Sequence, residues 1–338
     1  MRCITKFISL QYKKFGHPLE VLELEQQSED IQLQHDDIMV RMILSPINPS
    51  DLIPIYGAYK HRIQLPAIPG YEGVGVVEAV GSSITTSLIG KRVLPLRGEG
   101  TWQQYVKTKA NFAVPVPKEM DDETASQMYI NPMTAWLICT EELRLNSEDV
   151  LVVNACGSAI GRLFAQLAKV FGYRLIAVVR NDIHIDELKS LGAWAVIDTS
   201  KESLIHSVME LTSGLGATAG IDSIGGQEGH DLIECIRPDG AVTIIGLLSG
   251  NQMNWSHIHE RHPNIRVKPY WLKRWVDGIS NDRWHENFSD LFELVKEGTL
   301  TIQTPRTRIS IHEYKKAIEK ALASGHIGKV LLEPFLSC

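Results

Sequence analysis

The chain has 338 residues, 44% hydrophobic and 22% charged, with 34 Lys and Arg against 40 Asp and Glu. A single core stops growing near ~250–300 residues, so this length reads as two domains. The formal charge of −6 argues against nucleic acid or an anionic membrane as main partner, and no apolar run approaches the ~18 residues that span a bilayer.

The opening "MRCITKFISLQYKKFG" has a positive start but no sustained apolar core and no small-residue cleavage site, so it does not read as a signal peptide. The first ~120 residues are β-rich and broken by Pro and Gly, with strands expected at "DIMVRMIL" and "GVGVVEAVG". "SQMYINPMTAWLICTEEL" then turns helical. From residue 150 strands and helices alternate: "VLVVNA", "RLIAVVR", "AVID", "AGID", "AVTIIGLL" and "NIRVKPY" as strands, with helices between, including "LIECIRPDG". Gly172 suits the end of the helix "GRLFAQLAKVF". Six strands with intervening helices describe a doubly wound parallel sheet. "DLFELVKEGTL" and "SIHEYKKAIEKALASG" are amphipathic helices, and "GKVLLEP" is a closing strand. The expected division is 1–122 with 271–338 as a discontinuous catalytic domain, and 123–270 as a Rossmann domain.

Cys3, Cys139, Cys156, Cys235 and Cys338 are scattered singly. That spacing excludes a four-cysteine zinc lobe and points to a reduced, cytoplasmic protein. "HIHERH" brings His257, His259 and His262 together; in a polar segment without a Cys or carboxylate pattern, it reads as a surface loop, with adventitious metal binding as the alternative.

The first strand of the alternating region runs into "NACGSAIG". A full dinucleotide fingerprint would place Gly at 156, 158 and 161, where this chain has Cys156, Ser158 and Gly161. Small residues through Gly157, Ser158, Ala159, Ile160 and Gly161 still let backbone N–H groups and a helix N-terminus approach a pyrophosphate. "DSIGGQ", with Ile224 and Gly225, offers a second close approach at a strand end. After the second strand "VVRN" places Arg180 and Asn181 where an NAD site would carry an acidic residue. A guanidinium there favours a 2′-phosphate and hence NADPH, with nearby Asp182 keeping NAD as the alternative.

Together these features resemble the medium-chain dehydrogenase/reductase superfamily, across nearly the whole chain. "GYEGVGVVEAVG" is similar to its most recognisable segment, and the resemblance implies a GroES-like catalytic domain joined to a Rossmann domain. Zinc members carry a Cys where this chain has "NPSD", and a His where it has Tyr71. A phenol of pKa ~10 is a poor zinc ligand, so no catalytic metal is expected. "NPSDLIPIYGAY", "GTW", "NPMTAW" and "YWLKRW" resemble the zinc-free branch of quinone oxidoreductases and mitochondrial-type 2-enoyl thioester reductases. The resemblance implies Tyr59 as proton donor, Asn48 as a cofactor-positioning and catalytic residue, and Thr134 as a cofactor contact. It implies Tyr71, Trp102 and Trp271 as substrate-cleft residues.

The expected function is therefore zinc-independent, NADPH-dependent hydride transfer to a quinone or an α,β-unsaturated carbonyl, enoyl thioesters included. A zinc-type alcohol dehydrogenase and a non-catalytic NADPH-binding sensor or structural protein are the alternatives. The family also implies a homodimer, formed through the edge of the nucleotide-domain sheet.

Overall fold

The computed structural model describes residues 6–27, 32–304, 307–323 and 328–335. Cys3, Cys338 and the last residues of "SIHEYKKAIEKALASG" lie outside them. The chain divides into two compact units. Unit 1 comprises Met1–Ile130, Ser280–Phe292 and Ile302–Cys338; unit 2 comprises Asn131–Ile279 and Glu293–Thr301.

Unit 1 is built on a seven-stranded sheet. Its spine is Asp37–Pro46, which pairs antiparallel with Val74–Val80, Tyr105–Lys109 and the closing strand Val330–Glu333. Alternation along these strands sends Ile38, Val40, Met42, Val77 and Val106 into one apolar interior. A second core gathers Leu10, Ile55, Trp102, Ile309, Ile318 and Leu332.

Unit 2 carries a six-stranded parallel sheet. Its strands are β1 (Val150–Val153), β2 (Arg174–Val179), β3 (Ala195–Asp198), β4 (Ala217–Asp222), β5 (Ile236–Ile244) and β6 (Arg266–Pro269). The order β3-β2-β1-β4-β5-β6 is that of the doubly wound dinucleotide fold. Its helices include α1 (Ala159–Phe171), α2 (Ile185–Leu191), α3 (Leu204–Leu211), α4 (Gly226–Glu234) and α5 (Trp255–Arg261). Gly172 closes α1 at φ 80°, its N–H returning to the Ala168 carbonyl.

Two elements differ from the sequence expectation. β5 starts at Ile236, inside the stretch expected as helix, because α4 ends at Glu234 and Ile236 buries itself in the sheet core. "HIHERH" is largely helix rather than loop: Asn254 caps α5 by accepting from the His257 N–H at 3.2 Å, and Ile258 anchors the helix in the core. Residues 123–130 group with unit 1, since the Tyr129 and Ile130 N–H groups bond the Glu72 carboxylate. Residues 271–279 group with unit 2, where the Trp275 indole donates to Glu141 at 2.8 Å.

Candidate active site

In unit 1 "NPSD" folds as one short helical turn, Pro49–Leu52, with Pro at its first position. Asp51 reaches back to the Asn48 N–H at 2.7 Å and also accepts from the Tyr71 N–H at 3.1 Å. One carboxylate thus ties the turn to the "GYEG" segment. The Asn48 side chain is committed at both ends. Its Nδ2 donates to Glu72 Oε1 at 2.8 Å, and its Oδ1 accepts from Lys329 Nζ. Glu72 completes its valence with the Tyr129 and Ile130 N–H groups, at 3.0 and 2.8 Å.

Asn48, Asp51, Glu72 and Lys329 are all buried, so two carboxylates and one ammonium share a space away from water. Burial pushes Asp51 up to about 7, with the Glu72 charge adding to it and Lys329 and the bonding N–H groups opposing it. Glu72 is likewise raised by burial against the pull of Lys329. Lys329 is lowered by burial, although both carboxylates favour its charge. The cluster is held together by mutual compensation.

Tyr71, Tyr59 and Tyr56 are the exposed aromatics near this cluster in sequence, each with 42–49% of its surface accessible. Shielding of its hydroxyl and the neighbouring Asp51 charge raise the Tyr71 phenol, with Tyr12 and Tyr59 adding to the effect; Tyr71 therefore keeps its proton. Tyr59 sits in the left-handed region at φ 65°, heading the turn Lys60–Arg62. A bulky residue there costs about 1–3 kcal/mol, and such strain concentrates at functional positions. Trp102 departs from its expected place in a cleft. It has no accessible surface, donates its indole N–H to the Pro46 carbonyl at 3.2 Å and packs so closely on Gly70 that a Cβ there would lie 2.4 Å from its ring.

These residues do not suit a metal ion. Metal ligands must be deprotonated or have a free lone pair. The Asn48 amide in the cysteine slot already bonds Lys329 and Glu72, and the Tyr71 phenol in the histidine slot is pushed toward its protonated form. His257, His259 and His262 do not converge either. His257 meets His230 edge-on at 5.4 Å, while His262 lies 3.1 Å from Glu234. Among the described residues no group of three or more His, Cys, Asp or Glu could hold a metal.

In unit 2 the β1–α1 turn has Ala155 at φ 47° and Ser158 as N-cap, its Oγ accepting from the Gly161 N–H at 3.2 Å. The first helical N–H groups, at Ala159 and Ile160, have no acceptor within the helix and remain for a ligand. Small residues are required here by space. A Cβ at Gly161 would lie 2.5 Å from the Cys156 backbone, and one at Gly157 would lie 2.5 Å from the His184 ring. Cys156 is buried, and burial pushes its thiol up to about 12, so it acts as a small packing residue. Beyond β4, Asp222 accepts from Asn154 Nδ2 at 2.5 Å and from the Ile224 and Gly225 N–H groups at 3.0–3.1 Å, while Asn154 accepts from Ser223. This pair pins the ends of β1 and β4 together, where parallel sheets of this order bind ligands.

At the end of β2, Arg180 is exposed and, among the described residues, has no ion-pair partner. Asp182 is taken up by Lys201 at 2.6 Å. Asn181 caps the following turn, accepting from the Ile183 N–H. Thr134 is buried in unit 2, and Trp271 is half-buried at the start of the helix Leu272–Gly278. Asn154, Asp222, Lys329, Arg162 and His184 were not singled out from sequence. For Lys329 the only local signal is a lysine directly before the apolar strand "VLLE".

A doubly wound sheet with a small-residue turn and a GroES-like β unit in one chain define the two-domain dehydrogenase build. Residues 34–118 match the Alcohol dehydrogenase GroES-like domain family, and residues 159–292 the Zinc-binding dehydrogenase family. The crystal structure of a candidate NADPH:quinone reductase from Bacillus thuringiensis is 51% identical, covering 98% of this chain and 99% of that one at a TM-score of 0.94. The mitochondrial enoyl-[acyl-carrier-protein] reductase of Arabidopsis thaliana is 31% identical, over 97% of this chain and 89% of the relative. That of Dictyostelium discoideum is 27% identical over 96% and 94%. The chain belongs to the medium-chain dehydrogenase/reductase superfamily, in its zinc-free branch of quinone oxidoreductases and enoyl thioester reductases.

Proposed function

We propose that this protein is an NADPH-dependent reductase that transfers hydride to a quinone or to the C=C bond of an α,β-unsaturated carbonyl such as an enoyl thioester. The observation that carries the reading is the unit 1 cluster. Where zinc members place metal ligands, this chain has an amide locked between an ammonium and a carboxylate, and exposed phenols follow it in the sequence. Such groups polarise and protonate an acceptor through fixed hydrogen bonds. The small-residue turn suits the pyrophosphate of NADPH and Arg180 its 2′-phosphate, while the Ile224 and Gly225 N–H groups are taken by Asp222. When bound, the reduced nicotinamide supplies the hydride. Asn48, oriented by Glu72 and Lys329, positions the ligand, and the Tyr59 hydroxyl delivers the proton that completes the reduction, at the α carbon of an enoyl thioester or at the oxygen of a quinone. Quinones and crotonyl-type thioesters, each assayed for initial rate with NADPH and NADH, test this directly. Reduction with NADPH that falls in Tyr59→Phe by about 10²-fold is expected; an unchanged rate removes Tyr59 from the chemistry.

The same reading extends to assembly. β6 ends the unit 2 sheet, and an edge strand offers a row of backbone groups for pairing with a second copy. A homodimer is expected by light scattering after gel filtration. Buried, free Cys139, Cys156 and Cys235 suit a reducing compartment such as the cytoplasm.

A further inference from the structure

The β1–α1 turn is more than a gap left by small residues, because a side-chain assembly lies against it. Arg162, in the first turn of α1, is buried and donates Nε and Nη2 to the two Glu187 carboxylate oxygens, at 2.9 and 2.8 Å. Its Nη1 donates to the Gly157 carbonyl. Its Nη2 also lies 3.2 Å from His184 Nδ1. A guanidinium has only hydrogens to offer, so Nδ1 must present its lone pair. The nearest Glu187 oxygen is 3.6 Å from Nδ1, beyond a hydrogen bond. In the neutral ring the proton is therefore on Nε2.

The Cδ2–Nε2 edge of this ring covers Gly157: a Cβ there would lie 2.5 Å from Cδ2 and 3.2 Å from Nε2. His184 follows Arg180 by four residues on the loop after β2, so one loop carries an exposed guanidinium and a directed N–H donor beside the nucleotide turn. The one carboxylate between them, Asp182, is bonded to Lys201.

We propose that His184 is a specificity-determining residue for the nucleotide, its Nε2–H donating to the 2′-phosphate of a dinucleotide seated on the turn. Arg162 and Glu187 act as positioning residues that fix the ring's tautomer and place it. The proposal rests on the nucleotide-binding reading above. It adds a donor of fixed direction to the charge that Arg180 supplies, and a neutral ribose 2′-hydroxyl accepts from that N–H more weakly than a phosphate does.

The test is calorimetric binding of 2′,5′-ADP and of 5′-AMP, which lacks the 2′-phosphate, to the full-length protein. His184→Phe keeps a ring over Gly157 and removes the N–H. It should weaken 2′,5′-ADP about tenfold, as expected for one hydrogen bond to a charged group, and leave 5′-AMP within about twofold. His184→Gln can accept from Arg162 and donate onward, and should restore most of the lost affinity. NADPH against NADH, titrated by fluorescence, should show the same split. Equal weakening of both nucleotides would reduce His184 to packing of the turn, and no weakening of either would overturn the proposal outright. Failure of the unaltered protein to bind any of these nucleotides would instead overturn the nucleotide reading itself. Should His184→Phe not fold, the ratio in Arg162→Lys decides, since a lysine cannot both hold Glu187 and orient Nδ1.

Discussion

In unit 1 order around the candidate site comes from charge: Asp51, Glu72 and Lys329 are buried together, and the one cation offsets two carboxylates that repel each other. In unit 2 it comes from backbone shape, with Gly157, Gly161 and the N-cap Ser158 leaving room and free N–H groups. The first kind of site is sensitive to polarity and pH, the second to volume. The largest expected effect follows from this contrast. Lys329→Met leaves two buried carboxylates without their cation and should cost about 3–5 kcal/mol in urea unfolding. Adding Glu72→Gln should recover part of that loss, because the pair and not the lysine alone is what burial requires. A cost near zero for Lys329→Met would break the comparison.

Next comes pH. Asp51 is raised in the folded protein to about 7, against ~3.9 in an unfolded chain. Between those values the folded state holds a proton that the unfolded state has lost, so stability falls as pH rises. The contribution is complete below pH ~4 and is lost as pH passes 7, on the order of 2 kcal/mol between pH 5 and 8. Asp51→Asn should flatten that dependence, measured by denaturant unfolding at both pH values. The same pH dependence in the wild type and in Asp51→Asn would show Asp51 to be ionised throughout.

Much of unit 2 was legible because its signals are local. Apolar runs gave away buried strands, and Gly172 the end of α1. Where a local signal misled, tertiary packing had overridden it. The polar residues Arg237, Pro238 and Asp239 in β5 suggested a helix end, and three histidines hid the core-facing Ile258 of α5. The unit 1 cluster was legible only in part. "NPSD" and "GYEG" drew attention to Asn48 and Tyr71, but Lys329 reaches Asn48 from 281 residues away, and no periodicity encodes that contact. Trp102 was expected at a cleft because a motif carries it; its ring instead fits closely on Gly70 in the interior.

The volume side of the comparison is tested by Gly161→Ala. The added methyl would meet the Cys156 Cα and carbonyl oxygen at 2.5 Å, and backbone atoms cannot step aside as a flexible side chain can. A cost of about 1–3 kcal/mol is expected, together with weaker NADPH binding and an unchanged pH dependence. If Gly161→Ala instead shifted the pH profile, the two units would not be separable in the way their materials suggest.

The smallest effect has the opposite sign. Ala155 holds φ 47° between β1 and the N-cap of α1, a left-handed conformation that costs an alanine roughly 1–2 kcal/mol. Gly adopts it freely but loses more entropy on folding, which returns about 0.5–1 kcal/mol of that gain. Ala155→Gly should therefore stabilise the protein by up to about 1 kcal/mol in urea unfolding. The turn's N–H groups are aimed by this same residue, so affinity for 2′,5′-ADP is the sharper reading. If stability rises while affinity holds, the Arg162–Glu187–His184 assembly suffices to shape the turn. If affinity falls as stability rises, the alanine's strained backbone is itself part of the cradle.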